Sequence, residues 1–427
     1  MKEYRVLVFP AGTEIAFEIH SALRNCKNIK LYGATSVPCH ADFVFKNCFD
    51  NVPFVDDPQL IDKLNDIIDD NGIDFVYPAH DSALLRLTRE QGKLHARVVT
   101  SDLATVETCR NKNLTYEFLD DAYYCPKHHL FPDDIDEYPM FIKPAVGQGS
   151  KGAMRVDCRE DLEHALESGT EYAICEYLPG AEYTVDCFTD KNGNLQYIGQ
   201  RTRERIRSGI AVRSEFVETA YPVIDIAYDL NSRFSFNGAW FFQVKKNANG
   251  EYKLLEVAPR IAGTMGLSRN RGVNLPLLTI YNMLGEDVRI DRNYNKLLLD
   301  RAFVSRFKSD IEYDKIYVDF DDTLIVKGSV NPYLMAFLYQ AKDKGKQIYL
   351  LSRHDGNIYN DLAAHNISPS LFDAIIIIGI GIDKAEFVKG ESILIDDSFS
   401  ERESVYMDCG IPVFDVDMVE SLFDWSA

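Results

Sequence analysis

No apolar run in the 427-residue sequence is long enough to cross a bilayer; the densest, Ala374 to Ile382, has the length of a buried strand. Nor is a secretory leader expected from the first residues. Met1-Lys-Glu-Tyr-Arg-Val-Leu-Val-Phe9 reads as a first strand, and its apolar run is too brief for a signal peptide. The nine cysteines are scattered, with no CxxC and no zinc-like spacing. That excludes a metal knuckle and fits reduced thiols in a cytoplasmic protein better than a disulfide scaffold. Positive charge is scarce: 46 Lys and Arg against 66 Asp and Glu leave a formal charge of −20. Such a chain repels nucleic acid and anionic membrane as bulk partners, so any phosphate site must be a local positive pocket. Low-complexity segments and internal repeats are also missing.

What is present is globular. With 46% hydrophobic and 26% charged residues the chain can bury a large core. At roughly 150 residues per domain, two to four domains are expected. Residues 1–100 alternate strand and helix signals. Val6 to Phe9, Lys30 to Ala34 and Asp74 to Tyr77 read as strands, and Glu14 to Arg24 and Asp57 to Asp70 as helices. This βαβ pattern predicts a parallel sheet with helices on both faces. A single glycine in the first turn falls short of GxGxxG, so dinucleotide binding is not indicated. Pro78-Ala-His80-Asp81-Ser82 lies at a strand's carboxyl end, where such sheets bind ligands. For each residue taken singly, helix capping by Asp81 or Ser82 is the better account.

The central stretch is Phe141-Ile-Lys-Pro-Ala-Val-Gly-Gln-Gly-Ser-Lys-Gly152, a strand that delivers Lys143 into a glycine-rich loop before a second strand at Ala153 to Val156. Gly149, Ser150 and Gly152 let backbone N–H groups approach a phosphate, and the Lys143 ammonium supplies a point charge. It is not a P-loop, because no Gly-Lys-Ser/Thr opens a helix. By itself the loop fits an ordinary glycine hairpin as well. Leu103 to Asp121 reads as one helix carrying Lys112. Asp161 to Glu167 reads as another helix, and Tyr172 to Glu176 as a strand. Gln243 and Glu256 fall on two strand patterns joined by the hairpin Asn247 to Gly250, which can place both side chains on one face. In Gln200-Arg201-Thr-Arg203-Glu-Arg205-Ile-Arg207, alternation predicts four arginines on one face of a strand, as a triphosphate or carboxylate clamp. A salt-bridged surface edge is the other reading of that cluster.

Taken in order, Lys112, the Lys143 loop, Ile174-Cys-Glu176-Tyr177-Leu178-Pro-Gly-Ala-Glu182, Phe241-Phe-Gln243-Val and Leu254-Leu-Glu256-Val-Ala258-Pro-Arg260 resemble the ATP-grasp superfamily of ATP-dependent carboxylate–amine ligases. The likeness is greatest to its carbamoyl-phosphate-synthase-like branch, and it covers roughly the first 300 residues. The resemblance implies a Rossmann-like pre-ATP-grasp domain over 1–100 and an ATP-grasp domain over 101–308. It implies that Lys112, Lys143, Gly149, Ser150, Gly152 and Arg203 bind ATP phosphates, that backbone groups near Tyr177 and Leu178 read adenine beside Glu176, and that Glu182 takes the ribose hydroxyls. Gln243 and Glu256 would hold Mg²⁺, and Arg260 would face the transferred phosphoryl group. The chain departs from the family's Glu-x-Asn-Pro-Arg: Ala258 stands in place of the Asn, which puts a second metal ion in doubt. A homodimer is the assembly that the resemblance suggests.

A different pattern begins near residue 309. Ile316-Tyr-Val-Asp319-Phe-Asp321-Asp-Thr323, Tyr349-Leu-Leu-Ser352, Lys384 and Ile393-Leu-Ile-Asp396-Asp397 place acids, a hydroxyl and a lysine after successive strands. These four motifs resemble the haloacid-dehalogenase (HAD) superfamily over about 310–427. The resemblance implies that Asp319 attacks phosphorus and Asp321 is the acid and base. Thr323 and Ser352 would bind phosphoryl oxygens, Lys384 would offset charge, and Asp319, the Asp321 carbonyl and Asp396 or Asp397 would hold Mg²⁺. Only 28 residues separate Thr323 from Ser352 and 31 separate Ser352 from Lys384, too few for a cap domain. The predicted fold class is therefore a multidomain α/β and α+β chain ending in a capless, Rossmannoid HAD-like domain over 309–427. The predicted function is a bifunctional enzyme using ATP and Mg²⁺: a ligase of small carboxylates and amines joined to a phosphatase for a phosphorylated metabolite. Two alternatives stay open, a phosphatase whose ATP-grasp half is a nucleotide sensor, which Ala258 favours, and a non-catalytic scaffold.

Overall fold

The computed structural model describes residues 2–426. The chain divides into two compact units, Met1–Phe303 and Val304–Ala427. Among the described residues no helix is long and apolar enough to cross a membrane.

The first unit begins with a five-stranded parallel sheet. Its strands run in the order Cys48–Phe49, Ile29–Ala34, Tyr4–Phe9, Phe75–Pro78 and Arg97–Val98. The helices follow the apolar periodicity. In Leu60–Asn71 the residues Leu60, Ile61, Leu64, Ile67 and Ile68 are buried on one face, and Gly72 ends the helix with a left-handed φ of 60°. This first α/β layer is not separate from the remainder of its unit. Val6, Val8 and Phe75 share one core with Phe188, Ala239, Ile261, Met265, Leu275 and Ile280. The segments 1–100 and 101–303 therefore pack as one unit, since burying that shared apolar surface is what stabilises both; the division falls after Phe303 rather than after residue 308.

Two antiparallel four-stranded sheets complete the functional part of this unit. One orders Leu195–Thr202, Glu182–Thr189, Gly238–Lys246 and Tyr252–Ala258. The other orders His128–His129, Tyr172–Glu176, Met140–Pro144 and Met154–Val156. The single helix predicted over Leu103 to Asp121 is two, Leu103–Arg110 and Lys112–Phe118. Asn111 breaks it: its backbone is extended, and its side chain accepts from the N–H groups of Asn113 at 2.9 Å and Leu114 at 3.4 Å. An Asn that caps a new first turn outcompetes helix continuation.

The second unit is a parallel sheet in the order Ala374–Ile377, Gln347–Ser352, Lys315–Val318, Ser392–Ile395 and Val413–Phe414. The helix Pro332–Asp343 packs Leu334, Phe337 and Leu338 into one core, and Phe399–Cys409 contributes Val405 to another. Beyond the small hairpin Ile325–Val326 with Ser329–Val330, the described residues insert no further sheet between the motifs, in keeping with the short spacings.

Candidate active sites

In the first unit a cleft of about 860 Å³ is lined by Lys112, Lys143, Gly149, Ser150, Glu176, Tyr177, Leu178, Glu182, Arg203, Gln243 and Glu256. Residues spread over 145 positions of sequence therefore meet, and each arrives by a local cause. Lys143 sits near the end of the strand Met140–Pro144; its side chain is buried, donates to the Leu255 carbonyl at 2.7 Å and lies over the Tyr116 ring. Lys112 opens the helix capped by Asn111, and its Nζ donates to the carbonyls of Pro144 and Gly147, both at 3.3 Å. Burial is the main reason that the Lys112 pKa falls to about 8, against the pull of Glu256. Gln243 and Glu256 are directly opposed across their hairpin.

The roof of the cleft is two glycine tips in contact. Gly149 has φ 63°, Ser150 52° and Gly152 75°. A Cβ on Gly209 (φ 73°) would stand 2.2 Å from the Gly149 carbonyl carbon, so no side chain fits there. Gly152 belongs to this loop but does not line the cleft; its near neighbour is the Pro144 ring.

Some of these side chains already have partners. Glu176 accepts from the Lys127 N–H at 2.9 Å, and Glu182 pairs with Arg203 at 2.6 Å. The one-face array of arginines is not formed. The strand Leu195–Thr202 ends before Arg203, and Arg205–Arg207 joins a different sheet with Ile210–Glu215 and Leu298–Asp300. Arg201 is fully buried against Asp186, with hydrogen bonds of 2.9 and 3.0 Å. Arg205 pairs with Asp300 in solvent, and Arg207 is exposed. Only Arg203 of the four reaches the cleft. A buried ion pair at Arg201 and a strand end at residue 202 overrode the period-2 alternation.

Arg260 lies beside this cleft, in an adjoining cavity of about 950 Å³ that shares Arg203, Gln243 and Glu256 with it. Its guanidinium makes a two-pronged contact with Asp81, 2.6 and 2.7 Å, and lies over Phe241. Burial alone would push the Asp81 carboxyl up; the Arg260 charge and hydrogen bonds outweigh it and hold it at about 2. Asp81 is therefore not the helix cap. His80 is, its Nδ1 accepting from the Ser82 N–H at 3.2 Å. The strand-end position was the signal for this pair, but nothing in the sequence ties residue 81 to residue 260.

In the second unit the parallel strands bring every motif to one sheet edge. Asp319 follows the strand Lys315–Val318 and Asp396 follows Ser392–Ile395. Lys384 Nζ donates to Asp319 Oδ1 at 2.7 Å and to Asp396 Oδ2 at 2.5 Å, and all three are buried. Burial raises the Asp396 carboxyl to about 6 and also raises Asp319, with Lys384 opposing in both cases; burial lowers Lys384, but the two carboxylates more than reverse that. Asp319, Asp396 and Asp397 place one carboxylate oxygen each within 4.8 Å of one another. Three hard oxygen donors at that spacing fit Mg²⁺. The Ser352 hydroxyl is buried beside the Asp319 carboxylate, whose pKa its hydrogen bond works to lower. Thr323 is engaged differently from expectation: its Oγ1 donates to Asp397 Oδ1 at 3.1 Å and accepts from the Asp397 N–H at 2.9 Å. Asp321 meets His354 at 2.8 Å, a residue that sequence reasoning passed over.

Comparison with known proteins agrees with the fold of the first unit. Residues 170–305 match the family described as ATP-grasp in the biosynthetic pathway with Ter operon. Among curated proteins the chain is similar to the vancomycin/teicoplanin A-type resistance protein VanA of Enterococcus faecium, 26% identical over 193 residues, which are 40% of this chain and 54% of that protein. It is likewise similar to the D-alanine–D-alanine ligase of Fusobacterium nucleatum, 26% identical over 34% of this chain and 44% of the other. The match thus spans about half the length of these relatives. Among solved structures it resembles an L-amino acid ligase from Bacillus licheniformis (TM-score 0.54, 19% identity, 66% of this chain and 75% of that one). It also resembles the biotin carboxylase domain of Hydrogenobacter thermophilus 2-oxoglutarate carboxylase with MgADP (0.55, 17%, 68% and 72%). The first unit has an ATP-grasp-like fold.

Proposed function

We propose that the first unit is an ATP-dependent carboxylate–amine ligase. The observation that carries this reading is the convergence of Lys112, Lys143, the glycine loop and Glu256 on one cleft, in the chain order of the ATP-grasp motifs. Relatives named as ligases of D-alanine and of L-amino acids support amino acids as the substrate class. A substrate carboxylate oxygen would take the γ-phosphoryl group of ATP, releasing ADP; the amine then attacks the carbonyl carbon, and phosphate leaves with the oxygen. Lys112, Lys143 and the loop N–H groups hold the phosphates. Arg260, steadied by Asp81, faces charge developing on the phosphoryl group. Mg²⁺, when bound, neutralises phosphate charge, and Glu256 and Gln243 would hold it; with Ala258 apolar, the residues present fit one ion rather than two. Glu182 would reach the ribose by releasing Arg203. A homodimer is part of this proposal, since one solved neighbour is a dimer.

For the second unit we infer a Mg²⁺-dependent phosphatase acting on a phosphorylated metabolite, on the strength of Lys384 binding Asp319 and Asp396 together at the sheet edge. Asp319 forms a bond to phosphorus as the ester bond breaks, and Asp321 protonates the leaving oxygen. Asp321 then takes a proton from the water whose oxygen displaces Asp319. Mg²⁺, when bound among Asp319, Asp396 and Asp397, offsets the charge of the phosphoryl oxygens.

The test is ADP and phosphate release with Mg-ATP and pooled amino acids. ADP formation that requires both a carboxylate and an amine establishes the ligase. ADP from no pool, with phosphate-ester hydrolysis intact, replaces it with the reading of a nucleotide sensor beside a phosphatase. A pH series adds a second check. Lys112 is charged below about 8 and loses its proton above. ATP affinity measured by calorimetry is therefore expected to fall, by about tenfold, as pH rises beyond that value. In Lys112→Arg, whose charge persists, the fall disappears. A pH-independent wild type removes Lys112 from the phosphate site.

A further inference from the structure

His354 is a residue of the second unit that no motif assigns. It follows Ser352 and Arg353 at the end of the strand Gln347–Ser352, and its side chain is 8% exposed. Nδ1 lies 2.8 Å from Asp321 Oδ2, and Nε2 lies 2.8 Å from Asp361 Oδ2 in the helix Ile358–Ala364. The ring packs edge-on against Phe320, centroids 5.0 Å apart. Every direction in which the imidazole can make a hydrogen bond is therefore occupied by a carboxylate, and Phe320 restricts its tilt. Asp321, by contrast, is 54% exposed at its side chain and sits two residues past Asp319 in a turn where Asp322 has φ 53°. Asp321 is a mobile type of side chain held at its tip by a rigid one.

We propose that His354 is a positioning residue for Asp321, with Asp361 fixing the imidazole in turn. The proposal rests on the phosphatase reading of this unit. In that reaction a bond forms between an Asp319 oxygen and phosphorus, the ester P–O bond breaks, and the Asp321 proton passes to the leaving oxygen. A proton donor matters in proportion to the basicity of the oxygen that leaves. An alkoxide needs the proton in the transition state; a nitrophenolate leaves without it. A residue that aims the donor must show the same dependence, whereas one that merely supports the fold must not. No such distinction exists for Lys384 or Asp319, which act on every ester alike.

The experiment compares kcat/KM of the full chain with Mg²⁺ for p-nitrophenyl phosphate and for glycerol 2-phosphate. The ratio kcat/KM ends at phosphoryl transfer, so the later attack by water does not enter. His354→Ala is expected to lose at least about tenfold on the alkyl ester and less than about threefold on the aryl ester. Asp361→Asn keeps the shape of the helix and is expected to skew the same way, by less. Equal losses on both esters in both variants, or no loss on either, overturn the proposal while leaving the phosphatase in place. Asp319→Asn separates the two levels: wild type inert on both esters, or hydrolysis that survives Asp319→Asn, overturns the phosphatase reading and this inference with it.

Discussion

Lys143→Ala is expected to lower amino-acid-dependent ADP release by at least about a hundredfold, the scale of removing one preorganised charged donor from a transition state. The reason lies in where the structure holds the ammonium. It is buried at the end of a strand, fixed to the Leu255 carbonyl at 2.7 Å and flanked by Tyr116, so little reorganisation is needed when phosphate charge arrives. Alanine removes the charge and one of two donors to that carbonyl, which keeps the Tyr116 hydroxyl at 2.9 Å, so the cost in local stability is small. Two measurements separate these effects. Hydrolysis of phosphate esters by the second unit is expected to be unchanged, and the first unit's melting temperature is expected to drop by no more than a few degrees. ADP release that persists in Lys143→Ala would remove Lys143 from the reaction.

Asp319→Asn is expected to abolish phosphate-ester hydrolysis, by at least about a thousandfold, and to leave ADP release untouched. Asparagine has nearly the same shape, so the packing of the strand end is retained; what is lost is the nucleophilic oxygen. Lys384 keeps Asp396 as a partner at 2.5 Å, so its buried charge is not stranded. The fold therefore survives, and the loss reads as chemistry. Retained hydrolysis in this variant would move the nucleophile elsewhere, and Asp396 or Asp397, within 4.8 Å, would be next in line.

The sequence by itself determined most of the elements and most of the residues that gather in the first unit's cleft and at the second unit's sheet edge. Strands of alternating or continuous apolar residues, glycines where backbone must come close, and acids after strands are local signals, and local signals survive folding. Parallel strands then made the second unit's geometry nearly automatic, because strand ends of a parallel sheet share an edge. The opposition of Gln243 to Glu256 likewise came from one hairpin. Only the tertiary structure decided which polar groups are spoken for. Arg201 and Arg203 are two residues apart, yet one is fully buried with Asp186 and the other faces the cleft with Glu182. Asp81 found Arg260 from 179 residues away, and His354 found Asp321 and Asp361. The roof of the first cleft depends on Gly209 touching Gly149, a contact between two turns with no shared pattern. Pairings of charges across long separations carry no period and no propensity. They are chosen by which groups are buried together and must satisfy one another, and that is settled only when the layers have packed.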